Sequence, residues 1–136
     1  MKKVLLDTNV CIDWLNRGDH EAVMVGPGFL RYLSAVVVME LRAGVSTRAN
    51  RDAVDALTRA YRSASRLVSP SSEVFERAGA VLRKLKFTGR NVRDASLCSD
   101  VLIALTARSI GATVVTSNIS DFAAIQRFED FSFEKP

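Results

Sequence analysis

The sequence predicts an α/β fold built on a central parallel sheet, and three observations carry that expectation. Short aliphatic runs alternate with stretches of helical spacing along the chain; such an alternation places helices on both faces of a parallel sheet. Glycines and polar pairs mark the changes of pattern. The 136 residues show no internal repeat and no linker, so residues 1–136 are expected to form a single domain.

The elements follow in order. Lys3 to Leu6 is an apolar run that stops at Asp7, a first strand. Asn9 to Leu15 has helical spacing and closes at Asn16-Arg17-Gly18. Gly26-Pro27-Gly28 marks a loop, and Tyr32 to Ala35 a second strand. Val36 to Gly44 turns helical, and Arg51 to Ser65 repeats Ala53, Leu57, Ala60 and Ala64 at helical intervals. Arg66-Leu67-Val68 is a third short strand. Ser71 or Ser72 caps a helix to about Lys86, with Val74, Ala78, Val81 and Leu85 on one face. After a polar loop, Ser96 to Ile110 is a long helix that Gly111 stops. Ala112 to Thr116 is the clearest strand, Asp121 to Gln126 a short helix, and Phe131 to Phe133 an edge strand.

Composition narrows the class. Hydrophobic residues make up 48% and charged residues 25%, ample for a core and against disorder. Cys11 and Cys98 lie among apolar neighbours; one disulfide between them is possible but not required, and packing residues with free thiols are the preferred reading. Together with the lone His20 they are too few for a Cys/His zinc site. The longest apolar runs, Ala35 to Met39 and Val101 to Leu105, are five residues each; a membrane span needs about twenty. The apolar stretch after Lys2 and Lys3 is too short for a secretion signal. A soluble, cytoplasmic protein is expected. The net charge of 19 − 15 = +4 makes nucleic acid a plausible partner. Trp14 and the 7 phenylalanines are assigned to packing.

Parallel sheets bind ligands beyond the carboxyl ends of their strands, which directs attention to the residues after Leu6 and Val115. Asp7 follows the first run; Asn118 and Asp121 follow the last. Asp7 also suits a helix cap, and Asn118 with Asp121 suits a capping box. Glu40 and Asp100 resist such readings. The helical neighbours of Glu40 are Val36, Val37, Ala43 and Gly44; those of Asp100 are Leu97, Ala104 and Ala107. A carboxylate in an apolar stripe is costly unless it is paired or bound to a metal. Arg42 or Arg108 could pair with one, although neither shares its face. Four acids at one sheet edge would repel, and hard divalent cations with oxygen ligands suit them. Such a centre fits metal-assisted phosphodiester hydrolysis. No phosphate-binding glycine loop and no nucleophile–histidine set competes.

Taken in order, Leu-Leu-Asp7-Thr8-Asn9, Met39-Glu40-Leu41, the stretch from Asp100 to Arg108, and Val115-Thr116-Ser117-Asn118 with Asp121-Phe122 resemble PIN-domain ribonucleases. The resemblance is greatest to the small VapC-type toxins of type II toxin–antitoxin systems, and it covers essentially the whole chain. It implies a three-layer α/β/α sandwich and a Mg²⁺- or Mn²⁺-dependent endoribonuclease with an RNA substrate. It also implies a homodimer, and an antitoxin partner that covers the active site. By position, Asp7, Glu40, Asp100 and Asp121 fall on the family's acidic quartet, and Thr116 on its small polar residue. Asn118 stands where many relatives carry Asp, which leaves the balance between Asn118 and Asp121 as ligands open. Two groups of basic residues become candidates for holding phosphates: Arg83, Lys84, Lys86, Arg90 and Arg93, and Arg59, Arg62 and Arg66. The alternatives are a catalytically weak PIN module that binds RNA or a protein, and a phosphatase-like hydrolase with Asp7 as nucleophile. The latter usually wants an acid where this chain has Asn9.

Overall fold

The computed structural model describes residues 1–136. In chain order the elements are β1 (Lys2–Leu6), α1 (Thr8–Arg17), α2 (Glu21–Met24), β2 (Phe29–Ser34), α3 (Ala35–Gly44), α4 (Arg48–Ser63), β3 (Leu67–Val68), α5 (Ser72–Phe87), α6 (Ala95–Ile110), β4 (Thr113–Val115), α7 (Ile119–Gln126) and β5 (Ser132–Glu134). The strands form one sheet in the order β3-β2-β1-β4-β5, and every pairing is parallel. Helices cover both faces in the expected α/β/α arrangement.

Local chemistry sets most boundaries. Ser34, Thr47, Ser71 and Asp94 each accept a backbone N–H in the first turn of the helix they precede, which satisfies amides that the helix itself leaves unbonded. Gly18 and Gly111 end α1 and α6 in the left-handed conformation, at φ 70° and 68°, where any other L residue is strained.

The middle of the sheet is buried on both faces. Val4, Leu5 and Leu6 are fully buried, as are Leu33, Val114 and Val115 on the flanking strands. This double burial is why the strands read as unbroken aliphatic runs rather than alternating ones. Phe122 packs edge-on against Phe131 and lies beside Phe133, at centroid separations of 6.3 and 6.2 Å. Its neighbours tie α7 to the last strand.

The fold departs from the expectations in several places: β2 begins at Phe29 rather than Tyr32 and stops before Ala35, which opens α3, and α4 spans Arg48–Ser63 rather than Arg51 to Ser65. α2 was not foreseen, since four residues are too few to display a period. The final strand lies one residue later than the aromatic pair suggested. Phe75 and Phe87, assigned to packing, are exposed on α5 (55% and 80%). Cys11 and Cys98 are free, as expected. No helix is long and apolar enough to cross a membrane.

One feature of the topology positions the site. The chain leaves β1 toward β2 and β3, then returns to β4 on the other side of β1. The connections therefore diverge at the carboxyl ends of β1 and β4, and a crevice opens there.

Candidate active site

Asp7 stands at the end of β1, and its N–H donates to Val115 O at 3.0 Å, so the residue is fixed to the end of β4. Its carboxylate does two jobs. Oδ1 accepts the Thr8 N–H at 2.8 Å and caps α1. Oδ2 accepts the Thr116 hydroxyl at 2.6 Å and the Asn9 amide at 3.0 Å. The cap reading and the site reading of Asp7 are thus both realised, one on each oxygen.

Thr116 follows β4 and is fully buried. Its hydroxyl accepts the Asn118 N–H at 2.9 Å. Asn118 makes no side-chain cap to α7, against the capping-box expectation. Its amide instead donates to Asp100 Oδ2 at 2.9 Å and to Asp121 Oδ2 at 3.1 Å. The reason is competition: two carboxylates attract the amide more strongly than a free backbone N–H can attract its oxygen.

Asp100 projects from α6 and is 5% exposed. Glu40 projects from α3, is half-buried, and accepts the Thr8 hydroxyl at 2.7 Å. No guanidinium clasps either acid. Arg42 pairs with Asp55, and Arg108 with the buried Glu129. Asp121 does meet a guanidinium, because Arg90 donates to its Oδ1.

The electrostatics show how close these groups are. Burial pushes the Asp100 carboxyl up to about 8, and the charges of Asp7, Asp121 and Glu40 push in the same direction. Burial also raises Asp7, against the hydrogen bonds from Thr116, Thr8 and Asn9. Glu40 rises through burial and the charge of Asp7. Hydrogen bonds join Asp7, Thr116, Asn118, Asp100 and Asp121 in turn, and Thr8 links Asp7 to Glu40, although up to 114 residues separate these positions (121 − 7).

Three further residues belong to the constellation. Thr8 and Asn9 hold Glu40 and Asp7, and Asn9 Oδ1 accepts the Ser117 N–H at 3.0 Å. Their signal was in the sequence, as short polar residues in the first turn after Asp7, but it read as capping alone. Ser99, buried beside Asp100, lies near enough to Glu40 for its hydroxyl to oppose the rise of that carboxyl; a serine inside a helix gives no signal. Of the two basic groups, only Arg90 reaches the acids by hydrogen bond.

The donor set suits a hard divalent cation. It consists of oxygens, Asp7 and Asp100 are buried while Glu40 and Asp121 stay partly open, and its members repel one another. The acids do not form a closed cage, and no three of them converge as a ready ligand group. The Asn118 amide between Asp100 and Asp121 and the Thr116 hydroxyl on Asp7 supply part of the positive potential that a cation would supply.

No curated protein matches the chain. Among solved structures, VapBC2 from Rickettsia felis bound to a promoter DNA fragment is similar at TM-score 0.73 and 24% identity, covering 98% of each chain. DNA-bound VapBC from Salmonella typhimurium is similar at TM-score 0.70 and 23% identity, covering 99% of this chain and 98% of that one. VapBC-5 from Mycobacterium tuberculosis, described as a member of a toxin–antitoxin family, is similar at TM-score 0.62 and 23% identity, with coverage of 99% and 98%. These likenesses carry the fold. The profile of the PIN domain matches residues 4–127, from the middle of β1 to the end of α7. That span holds every acid of the crevice, and the chain belongs to the PIN domain family.

Proposed function

We propose that this protein is a metal-dependent endoribonuclease, that it serves as the toxin of a toxin–antitoxin pair, and that its antitoxin inhibits it. The observation that carries the hydrolytic reading is Asp100, a buried carboxylate raised to about 8 in the field of three other acids, with no arginine to neutralise it. Family membership and the likeness to VapBC proteins support the toxin role.

Asp7 and Asp100 would be the principal ligands of a Mg²⁺ or Mn²⁺ ion, with Glu40, Asp121 and Asn118 completing the pocket. Such a cation supplies charge that offsets the negative charge developing on a phosphodiester and makes a water easier to deprotonate. The chain's own residues do the rest. Glu40 is the most accessible of the three raised acids and is placed to orient the attacking water and take its proton. Thr8 holds Glu40, and Thr116 and Asn9 hold Asp7, so the carboxylates are fixed before substrate arrives. Asn118 keeps Asp100 and Asp121 facing one another.

The protein would work in the cytoplasm as a homodimer. An antitoxin segment would cover the site along the apolar cleft that Ile12, Leu15, Leu41, Val45 and Val54 form beside Glu40. The test is RNA cleavage with Mg²⁺ or Mn²⁺ by the wild type and by Asp7→Asn. Loss of cleavage in the variant is expected; equal cleavage would remove the metal reading. Calorimetric titration with Mn²⁺ separates this reading from a non-catalytic module, which would show no site of useful affinity.

A further inference from the structure

Beside the acidic crevice lies a second concavity, between the loop after α5 and the outer side of α7. Thr88, Arg90, Ser120 and Arg127 supply its polar atoms, and Leu85 and Phe128 its apolar wall. We infer that this depression is a phosphate subsite that receives an RNA backbone phosphate flanking the one being cleaved. The inference rests on the ribonuclease reading and adds to it a second contact on the same strand.

Arg90 sits on the boundary between the two sites. Its Nη1 donates to Asp121, while Nη2 lies 3.4 Å from Ser120 O and 3.3 Å from Ser120 Oγ. The contacts run unbroken from the depression to the crevice, from Arg90 to Asp121, to Asn118, to Asp100. The Arg90 side chain is 33% exposed. A guanidinium has five N–H donors, and these contacts leave Nε and part of Nη1 free. Ser120 Oγ acts as acceptor for Arg90, so its own proton is available to a ligand.

Arg127 is the stronger pointer. Like several other arginines of the chain it forms no ion pair, but with Arg90 it is one of the two guanidiniums that line the depression. Its guanidinium lies 5.9 Å from the Phe128 ring centroid, which holds it against the wall of the depression. Two guanidiniums and a hydroxyl lining one depression beside the acids meet the needs of a polyanion that must approach an acidic centre. The crevice alone repels RNA, and cations next to it restore the attraction. Planar guanidiniums match phosphate oxygens in pairs, and contacts of this kind position a strand without reading its bases.

The experiment uses the full chain and a fluorescently labelled, unstructured RNA oligonucleotide. Binding is followed by anisotropy across a salt series in an Asp100→Asn background, and cleavage by wild-type protein with Mn²⁺. Arg127→Gln should reduce the slope of log affinity against log salt by about 0.7, the effect of one lost contact on single-stranded nucleic acid. It should raise KM several-fold and leave kcat nearly unchanged, because Arg127 touches the flank and not the reacting atoms. Arg127→Lys should restore the slope. Lys2→Gln, at the opposite end of the sheet, should not change it. If Arg127→Gln matches Lys2→Gln in slope and KM while the wild type cleaves RNA, the subsite is overturned and the ribonuclease reading stands. If the wild type binds RNA without cleaving it, catalysis is overturned and the slope still decides the subsite. If the wild type does not bind RNA, both are overturned.

Discussion

At Asp100, burial first and the neighbouring charges of Asp7, Asp121 and Glu40 second raise the carboxyl from 3.8 to about 8. The linkage to stability follows directly. Between those two values the folded chain holds a proton that the unfolded chain has released, so stability falls as pH rises from about 4 to about 8. The metal-free protein should therefore melt at a lower temperature at pH 8 than at pH 5. Asp100→Asn removes the charge but keeps the shape and its contact with Asn118. It should raise the melting temperature at pH 8 by about 5 °C, change it little at pH 4, and abolish Mn²⁺ binding in calorimetry. A variant that gains stability while it loses the ligand is the signature of a functional acid, since a structural one would lose both. Glu40 and Asp100 were legible because each breaks an apolar helical stripe. Thr8 and Asn9 were not, because a residue that caps a helix and one that holds a catalytic acid have the same side-chain chemistry.

Among the elements, α6 and α7 carry Asp100 and Asp121, and each helix is anchored by features remote from the site. Glu129, beyond α7, buries its carboxylate between Arg77 of α5 and Arg108 of α6. Both arginines are half-exposed, so the clasp is screened on one side, and Glu129→Gln should lower stability by about 1–2 kcal/mol in urea denaturation. Phe122 is fully buried against Phe131 and Phe133, so Phe122→Ala should cost about 3–5 kcal/mol and loosen the segment that presents Asp121. Gly111 holds φ 68° at the end of α6, two residues before β4, which leads to Thr116, and Gly111→Ala should cost about 1 kcal/mol. Helix period and capping residues put most of these elements within a few positions of where they stand. The short α2 and the exposed Phe75 and Phe87 lie outside what period can show, because four residues span barely a turn and hydrophobicity alone does not say which aromatic finds a neighbour.

At the scale of the whole molecule, folding and the proposed cation binding would act on the same set of acids. A divalent ion that binds only the folded chain stabilises it by mass action, about 2.7 kcal/mol at a hundredfold excess over its dissociation constant. Mn²⁺ should raise the melting temperature of the wild type by several degrees at pH 8, less at pH 5, and not at all in Asp7→Asn; a wild type that does not respond at either pH would argue against the centre. The sequence by itself determined the alternation of strands and helices and the position of the acids along them. Both are local properties, set by side-chain period and by the cost of a charge in an apolar stripe. Only the tertiary structure decided the strand order that opens a crevice at the ends of β1 and β4, and which neighbours each acid meets there. It left Asp100 with no arginine or lysine partner, gave Arg90 to Asp121, and turned the Asn118 amide toward two carboxylates. Those outcomes are set by distances between groups far apart in the chain, and sequence spacing holds no record of them.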